Sequence, residues 1–234
     1  MTADAVQIAT HRMKPLAGKP PGTLLVHEVY RSIQGESTFV GRPCVFVRLS
    51  AGHLRCRWCD TPHAFTEGEP MGLDDVLARV LAEPCDLVEI TGGEPLLQDE
   101  VLPLMTRLAD AGRTVLLETS GAVDISRVDR RVRIIMDLKC PGSEECEQNL
   151  YANLELLKPT DEIKFVIADR RDFDWSCEQA RSRHLTDRFT VLFSPVFGEL
   201  APRTLAEWIL ESKLPVRLQL QMHKYIWDPS ARGV

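Results

Sequence analysis

Long apolar runs are missing from this 234-residue chain. No segment approaches the roughly 20 consecutive apolar residues that a membrane-spanning helix requires. The first residues also lack the short apolar core of a secretion signal. Both absences argue against insertion into a membrane, and we predict a cytoplasmic protein.

The sequence has no concentrated block of lysine and arginine. Its 28 basic residues are outnumbered by 34 acidic ones, which gives a formal net charge of −6. Non-specific binding to nucleic acid depends on neutralising phosphates. We therefore predict that the chain does not bind nucleic acid directly and that its partner is a small molecule.

A regular disulfide framework is absent as well. The seven cysteines are odd in number and irregularly spaced, and a reducing compartment would keep them as thiols. Metal binding or burial is the better interpretation of these residues. They are Cys44, Cys56, Cys59, Cys85, Cys140, Cys146 and Cys177.

The composition predicts one globular domain. With 44% apolar and 26% charged residues, the chain can bury a core of its own, and no internal repeat divides it. Residues 1–22 are rich in Lys, Pro and Gly and carry little apolar periodicity. We predict a flexible N-terminal leader over 1–22 and a single domain over 23–234.

Strand-like and helix-like segments alternate from residue 24 onward. Apolar, β-branched runs predict strands at 24–31, 44–50, 86–91, 114–120, 132–139, 162–168, 189–195 and 216–222. Helical spacing of apolar residues predicts helices at 72–83, 100–112, 145–157, 171–184 and 201–213. Repeated β-α alternation implies a mostly parallel sheet. Because the units are too few for a closed eight-fold barrel, we predict an α/β fold that forms an open, partial barrel of the (β/α)6 type.

Polar or glycine-marked segments follow five of the predicted strands. In parallel β/α folds, functional groups collect at the carboxyl ends of the strands, so these segments predict one pocket ringed by the sheet. They are the CxxC pair at 56–59, TGGEP at 91–95, ETSG at 118–121, DLKCPGS at 137–143 and FSPVFG at 193–198.

Each feature also has a simpler interpretation. A CxxC pair can be a redox dithiol, although the turn-rich residues 60–70 that follow it favour a metal loop. Paired glycines can form a tight turn, Asp137 and Lys139 can form a strand-end ion pair, and His223 can be a core histidine. Three further cysteines are predicted to be packing thiols; these are Cys85, Cys146 and Cys177.

Taken together, the motifs resemble those of the 7-carboxy-7-deazaguanine synthases, a family of the radical S-adenosylmethionine superfamily. The resemblance covers about residues 24–227. The matching motifs are IQGE at 33–36, CVFVRL at 44–49, CRWCDT at 56–61, TGGEP at 91–95, ETSG at 118–121, DLK at 137–139 and QLQMHKY at 219–225.

The resemblance implies a fold, a reaction and a set of cofactors. The fold would be the partial barrel of the radical S-adenosylmethionine class, in a homodimer. The reaction would be a radical ring contraction of 6-carboxy-5,6,7,8-tetrahydropterin to 7-carboxy-7-deazaguanine, with loss of ammonia, in queuosine biosynthesis. A 4Fe–4S cluster held by three thiolates would cleave S-adenosylmethionine reductively. Mg²⁺ and an electron donor such as flavodoxin or ferredoxin would complete the system.

The resemblance also implies roles for individual residues. Those implied to contact the pterin are Ile33, Gln34, Gly35, Arg48 and Thr91, and the arginine suits a carboxylate. Those implied to lie along S-adenosylmethionine are Trp58, Cys59, Asp60, Gly93, Asp137, Leu138, Lys139, Ser194 and Pro195. Cys56 and Cys59 would hold the cluster, and the Thr61 hydroxyl would contact Mg²⁺.

One position departs from the family pattern. The loop before the CxxC pair normally carries the first cluster cysteine, within a Gly-Cys-Asn or Ala-Cys-Asp triplet, and this chain has Ala51-Gly52-His53 there. Cys44 begins the strand that precedes this loop, and eight residues at roughly 3.3 Å each place it about 26 Å from position 52. His53 is the best local substitute, because imidazole replaces thiolate in some clusters. Cys140 ends another strand on the correct face and is an alternative.

Three hypotheses remain at this point. The favoured one is a synthase whose cluster is completed unusually or held less firmly. The second is a degenerate relative that binds a pterin or 7-deazapurine and lacks radical activity because Gly52 replaces the first cysteine. The third, an unrelated zinc or redox CxxC protein, leaves TGGEP, ETSG and IQGE unexplained.

Overall fold

One sheet runs through the fold. The computed structural model describes residues 12–234, so residues 1–11 of the predicted leader lie outside it. The strands of the described part are β1 Thr23–Ile33, β2 Pro43–Leu49, β3 Glu69–Gly72, β4 Leu87–Gly92, β5 Thr114–Thr119, β6 Arg133–Asp137, β7 Glu162–Ile167, β8 Thr190–Pro195 and β9 Arg217–Leu218. They lie in the order β3-β1-β2-β4-β5-β6-β7-β8-β9.

Most of the sheet is parallel. From β2 through β4 to β9, each strand pairs in parallel with its neighbour, whereas β1 pairs antiparallel with both β2 and β3. From β4 onward the spatial order follows the chain order, as expected when each crossover returns on the same side. The predicted open, mostly parallel α/β architecture is confirmed.

The two edges of the sheet differ from the prediction. The edge strand β3 was not predicted, because Pro70 and its neighbours have the composition of a turn; an edge strand tolerates proline, which donates no ladder hydrogen bond. At the other edge, the strand predicted at 216–222 is reduced to the two residues of β9.

The helices of the described part are α1 Leu73–Leu81, α2 Val101–Asp110, α3 Arg170–Ser182, α4 Leu185–Arg188, α5 Pro202–Ser212 and α6 His223–Ile226. The first five cover the outer face of the sheet, whereas α6 lies on the inner side. Four of the five predicted helices correspond to α1, α2, α3 and α5. The side chain of Asp169 caps α3 by accepting a hydrogen bond from the backbone N–H of Asp172, 2.9 Å away.

The helix predicted at 145–157 is wrong. This segment contains two 3-10 turns, Cys146–Gln148 and Tyr151–Glu155. The Asn149 side chain exchanges two hydrogen bonds with the backbone of Lys139. Asn153 donates to the carbonyl oxygens of Gly121 and Val123. Both asparagines bond to neighbouring strand ends, and such bonds compete with a regular helix.

Residues of the parallel strands alternate between two environments. On β4, Val88 and Ile90 are buried in the apolar core, whereas Glu89 and Thr91 face the inner side of the sheet, since successive side chains point to opposite faces. Pairing in register brings equivalent residues of neighbouring strands to that inner side. They are Phe46, Arg48, Glu89, Thr91, Glu118, Ile135, Asp137, Lys164 and Val166.

The described part of the predicted leader, residues 12–22, contacts the domain through two cations. Arg12 donates to the carbonyl oxygen of His53 at 2.7 Å and to Glu145 at 3.1 Å. Lys19 forms an ion pair with Glu100 at 2.8 Å. The flexibility of the leader stays a prediction.

The described helices are shorter than a membrane-spanning helix of roughly 20 residues. The longest of the described helices, α3, has 13 residues. Between residues 12 and 234, no helix has both the length and the apolar character needed to cross a bilayer.

Candidate active site

A cavity of about 790 Å³ opens at the carboxyl ends of the parallel strands. Its position agrees with the rule that functional groups collect at this end of a parallel β/α fold. Most of the predicted site residues line it. These are Ile33, Gln34, Gly35, Arg48, Gly52, Cys56, Trp58, Cys59, Asp60, Thr61, Thr91, Gly93, Asp137 and Lys139.

Three predicted contacts with S-adenosylmethionine do not line the cavity. Leu138, Ser194 and Pro195 are buried in the strands and strand ends behind its wall. Val196 and Phe197, which follow β8 directly, reach the cavity instead. Ser194 and Pro195 therefore lie next to the wall without forming it.

The loop that carries the CxxC pair is fixed against the end of β4. The backbone N–H of Gly93 donates to Leu49 at 3.1 Å, and that of Glu94 donates to Ala51 at 2.8 Å. A Cβ atom at Gly93 would overlap the carbonyl oxygen of Ala51. The second glycine of TGGEP is thus required by close backbone packing, a role that sequence reasoning had divided between ligand approach and a tight turn.

The buried side chain of Glu94, in the same motif, holds the end of the neighbouring strand β5 through hydrogen bonds. Its carboxylate accepts hydrogen bonds from the hydroxyl of Thr119 at 2.9 Å and from the backbone N–H of Ser120 at 2.8 Å. TGGEP and ETSG therefore contact each other directly. This contact explains why both motifs occur at adjacent strand ends.

The two thiols of the CxxC pair face the cavity together. Cys56 and Cys59 are half-buried, and the backbone N–H of Cys59 donates to the carbonyl of Cys56 at 3.1 Å, which closes the loop between them. Burial raises the pKa of the Cys56 thiol, and the nearby Lys139 ammonium opposes this only in part. Two thiols three positions apart can bind the same metal centre as thiolates.

Gly52 lies at the back of this loop. A Cβ atom there would be 3.2 Å from the Cα of Gly93 and 3.3 Å from the ring of Phe65. These distances are tight, so a cysteine at this position would require Gly93 or Phe65 to shift by a few tenths of an ångström.

The remaining cysteines are buried away from the cavity or stand outside its lining. Cys140 was an alternative cluster ligand, but it contacts the hydroxyl of Ser176 on α3 at 3.4 Å and is almost fully buried. Its side chain points to the helix layer because it alternates with the inward Lys139. Cys44 and Cys85 are buried at the opposite end of the sheet, where Cys85 contacts the carbonyl of Pro43.

Lys164 lies among three carboxyl groups, those of Glu36, Glu89 and Glu118, which form an acidic wall of the cavity. Sequence reasoning missed this wall. Its ammonium pairs with Glu36 at 3.0 Å and with Glu118, and Thr91 donates to Glu118 at 3.1 Å. Only Glu118 had been noted as a strand-end residue. The available signal was the polar residue at every second position of β4 and β7, which marks an inner face lined with charges.

Glu89 is the most deeply buried carboxyl of this wall. Gln34 donates a hydrogen bond to it, and no cation contacts it among residues 12–234. Burial, followed by the nearby carboxylates of Glu118 and Glu36, raises the pKa of Glu89 above the usual range.

We expect Glu89→Gln to stabilise the protein increasingly as the pH rises. The folded protein binds the Glu89 proton more tightly than the unfolded chain, so native stability falls as the pH rises from the ordinary glutamate range through the raised pKa. Glutamine cannot ionise and still offers an oxygen to Gln34. Urea unfolding between about pH 5 and about pH 8 should give a stability difference that grows by up to about 1.4 kcal/mol per pH unit. A difference independent of pH would contradict the raised pKa.

Arg48 is held in place by two inner-face groups of β1. Its Nε donates to Glu28 at 2.8 Å, and one terminal nitrogen donates to the Tyr30 hydroxyl at 2.9 Å. The guanidinium thus keeps donors free on the cavity side in a fixed orientation. Such a group is suited to a ligand carboxylate.

Asp137 and Lys139 form the strand-end ion pair that was one of the two interpretations, at 2.8 Å. The pair also lines the cavity, so the two interpretations are compatible. The second oxygen of Asp137 is buried and has no hydrogen-bond partner within the described part of the chain. A buried acceptor oxygen without a partner is suited to accept a hydrogen bond from a ligand.

The C-terminal segment lines the cavity beside Asp60 and Glu36. Lys224 donates to Asp60 at 2.8 Å, and Gln221 bridges Asp60 and Glu36 at 3.1 Å each. A Cβ atom at Gly35 would overlap the ring of His223. His223 lines the cavity, so the interpretation as an ordinary core histidine is wrong.

Comparison with known proteins finds relatives that carry the same name. No family model matches the chain. A 7-carboxy-7-deazaguanine synthase from Chlorobaculum tepidum is 47% identical over 214 residues, covering 90% of this chain and 97% of that protein. One from Koribacter versatilis is 46% identical over 224 residues, covering 89% and 99%.

A solved structure has the same fold. The crystal structure of QueE from Escherichia coli matches with a TM-score of 0.71 and covers 95% of this chain and 100% of that chain, at 23% sequence identity. The likeness concerns the open, mostly parallel sheet and its helices.

Proposed function

This chain belongs to the 7-carboxy-7-deazaguanine synthase family, and we propose that the cavity at the carboxyl ends of its strands is where the family's reaction takes place. The chain is a radical S-adenosylmethionine lyase that converts 6-carboxy-5,6,7,8-tetrahydropterin to 7-carboxy-7-deazaguanine with loss of ammonia. The observation that carries the assignment to this cavity is the presence of the CxxC thiols and the charged inner face of the sheet in one enclosed space.

Cys56 and Cys59 are the proposed thiolate ligands of the iron–sulfur cluster. When bound between them, the cluster would supply the electron for reductive cleavage of S-adenosylmethionine. Cys56 lies near the Lys139 ammonium, which opposes the effect of burial on the pKa of this thiol.

The S-adenosylmethionine site is proposed along the rim next to this loop. Trp58, Asp60, Gly93, Asp137 and Lys139 line that side of the cavity. The unpartnered oxygen of Asp137 would accept hydrogen bonds from hydroxyl groups of the ligand.

The pterin site is proposed at the inner face of β1, β2 and β4. Arg48, already oriented by Glu28 and Tyr30, would pair with the substrate carboxylate. Gln34, Thr91 and the Glu118 carboxylate offer acceptors and donors for the nitrogen-rich pterin edge, while Ile33 and Gly35 would pack against the ring.

Arg48→Gln is expected to weaken substrate binding more than it slows the chemical step. Glutamine still donates to Glu28 but lacks the positive charge, and loss of a charged hydrogen bond of about 1.5–3 kcal/mol corresponds to a roughly 10- to 150-fold rise in KM. Steady-state kinetics with varied pterin concentration measure this effect. Arg42→Gln is the matched control, because Arg42 packs over Phe39 outside the cavity. Equal KM values for the two variants would remove Arg48 from the pterin site.

The proposed function is tested by turnover. Protein reconstituted anaerobically with iron and sulfide should consume the pterin, in the presence of S-adenosylmethionine and a reductant, and release 7-carboxy-7-deazaguanine and ammonia in equal amounts. Binding of the pterin without product, from a protein that holds a full cluster, would support the degenerate binding protein instead.

Three further components belong to the same proposal. The Thr61 hydroxyl, on the cavity wall, would contact Mg²⁺, a cation that prefers oxygen ligands. A small electron-transfer protein such as flavodoxin or ferredoxin would reduce the cluster, and the chain would act as a homodimer. These components are supported by the resemblance to the family.

A further inference from the structure

We propose that the imidazole of His53 is the third protein ligand of the cluster, so that the donor set is His53, Cys56 and Cys59. The inference rests on the proposed function. It answers a question raised by the chain itself, since the family's first cluster cysteine is replaced here by Gly52.

The first argument is the position of His53 in the cavity wall. It follows Gly52 directly and lines the same cavity as Cys56 and Cys59. Its Nδ1 atom is buried and, between residues 12 and 234, has no hydrogen-bond partner. A buried ring nitrogen without a partner is rare in a folded protein and calls for a ligand.

The second argument is how firmly the His53 backbone is held. Arg12 donates to its carbonyl oxygen at 2.7 Å. Arg55 donates to the carbonyl of Gly52 at 2.7 Å, and its own backbone N–H donates to Glu145 at 2.6 Å. These contacts hold the backbone on both sides of His53, three residues before Cys56.

The third argument removes the other candidates. Cys140 is engaged with Ser176 on the far side of its strand, and Cys146 does not line the cavity. Among residues 12–234, two other histidines line it, but the ring centroid of His63 lies 4.8 Å from that of His27, and the ring of His223 lies against Gly35.

The chemical consequence is a change in cluster charge. A neutral imidazole in place of a thiolate removes one negative charge from the ligand set, and histidine ligation raises the reduction potential of iron–sulfur centres. The cluster should therefore be easier to reduce than one held by three thiolates, while the reduced cluster is a weaker electron donor to S-adenosylmethionine.

The test is pulsed electron paramagnetic resonance on the anaerobically reconstituted, reduced protein, without S-adenosylmethionine so that no ligand nitrogen interferes. We expect a nitrogen coupling typical of imidazole bound to iron, which changes when the protein is labelled with ¹⁵N-histidine. His53→Ala should lose it together with much of its iron. His223→Ala, which removes another half-buried histidine of the same cavity, should keep it.

A second variant separates the His53 assignment from the proposed function. Gly52→Cys combined with His53→Ala should recover the full iron content without the nitrogen coupling and should have a lower reduction potential than the parent. A parent with a full cluster and no histidine coupling, or with no cluster at all, would overturn the His53 assignment. If Gly52→Cys then makes product, the proposed function stands alone; if it binds a full cluster and makes none, the proposed function fails as well.

An independent observation carries a second proposal, a divalent metal site on the outer rim of the cavity. The ligand atoms of His27, Glu28 and His63 all lie within 4.8 Å of one another. Arg48 occupies one oxygen of Glu28 at 2.8 Å, which leaves the other oxygen available. We propose that these residues bind a transition metal ion such as Zn²⁺, for which two imidazoles and a carboxylate are a common donor set.

Such an ion would join β1 to the segment that follows the CxxC pair. His27 and Glu28 belong to β1, while His63 lies in the 3-10 turn Pro62–Phe65. The bound metal would therefore hold the cluster loop against the sheet.

The probe is Zn²⁺ added to the cluster-loaded protein, followed by desalting and metal analysis. We expect one zinc per chain, lost in His27→Ala and in His63→Ala, with the iron content unchanged. His184→Ala removes a histidine far from the cavity and should retain the zinc. Equal zinc content in all variants would overturn the site.

Discussion

Cys59→Ala is expected to leave the protein without its iron–sulfur cluster and without activity. Among residues 12–234, Cys56 and Cys59 are the two thiols of the cavity lining, and a methyl group cannot bind iron. Iron and sulfide after reconstitution should fall from about four per chain to background, and 7-carboxy-7-deazaguanine should become undetectable. Iron analysis, the visible absorption of the cluster and product chromatography measure the three effects.

Cys177→Ala is the matched control for this experiment. Cys177 is a buried cysteine of α3 in the apolar core and does not line the cavity. It should retain both cluster and product, apart from a modest loss of stability. A full cluster in Cys59→Ala would mean that the CxxC pair is not the iron site, and the assignment of this cavity would be withdrawn.

Lys164→Met is expected to cause the largest loss of stability. The substitution leaves the carboxylates of Glu36 and Glu118 without their shared cation, next to the already buried Glu89. Removing one partner of a buried ion pair typically costs about 3–5 kcal/mol, because the remaining charge stays desolvated. Urea unfolding followed by circular dichroism at neutral pH measures the loss.

Two variants test the cause of this loss. Arg127→Met removes a cation of similar length from an exposed pair with Asp99 at 2.6 Å, and it should cost less than about 1 kcal/mol. Adding Glu118→Gln to Lys164→Met should recover part of the stability, since one unpaired charge is then absent. If Lys164→Met and Arg127→Met were equally mild, the acidic wall would be hydrated and Lys164 would not be its essential partner.

Periodicity was sufficient for most of the fold. β-Branched runs located β1, β2 and β4 to β8 because a strand buried on both faces leaves a continuous apolar signal. It was insufficient at the edges, where β3 is made of turn-like residues and exists because β1 supplies its hydrogen bonds. It also failed at 145–157, where Asn149 and Asn153 bond to distant strand ends, and no local pattern encodes such partners.

The site was predicted from motifs to a large extent. The resemblance to the synthase family is confirmed by the relatives. Most of the residues that it named line one cavity, although their individual roles stay predictions. The method missed Lys164 and Glu89, because they lie within strands and only the ends of strands were considered. It misplaced Cys140, whose side chain alternates to the helix side of its strand.

The sequence by itself determined the class of fold, the family and the absence of the first cluster cysteine, since each depends on residue type and spacing along the chain. Only the tertiary structure decided which charges meet. Glu36, Glu118 and Lys164 are 46 to 128 residues apart in pairs, yet the parallel register and the return of the chain over the barrel bring them into contact. It likewise decided that Nδ1 of His53 is buried without a partner among residues 12–234, because burial and hydrogen bonding depend on the packing of segments that sequence spacing does not relate.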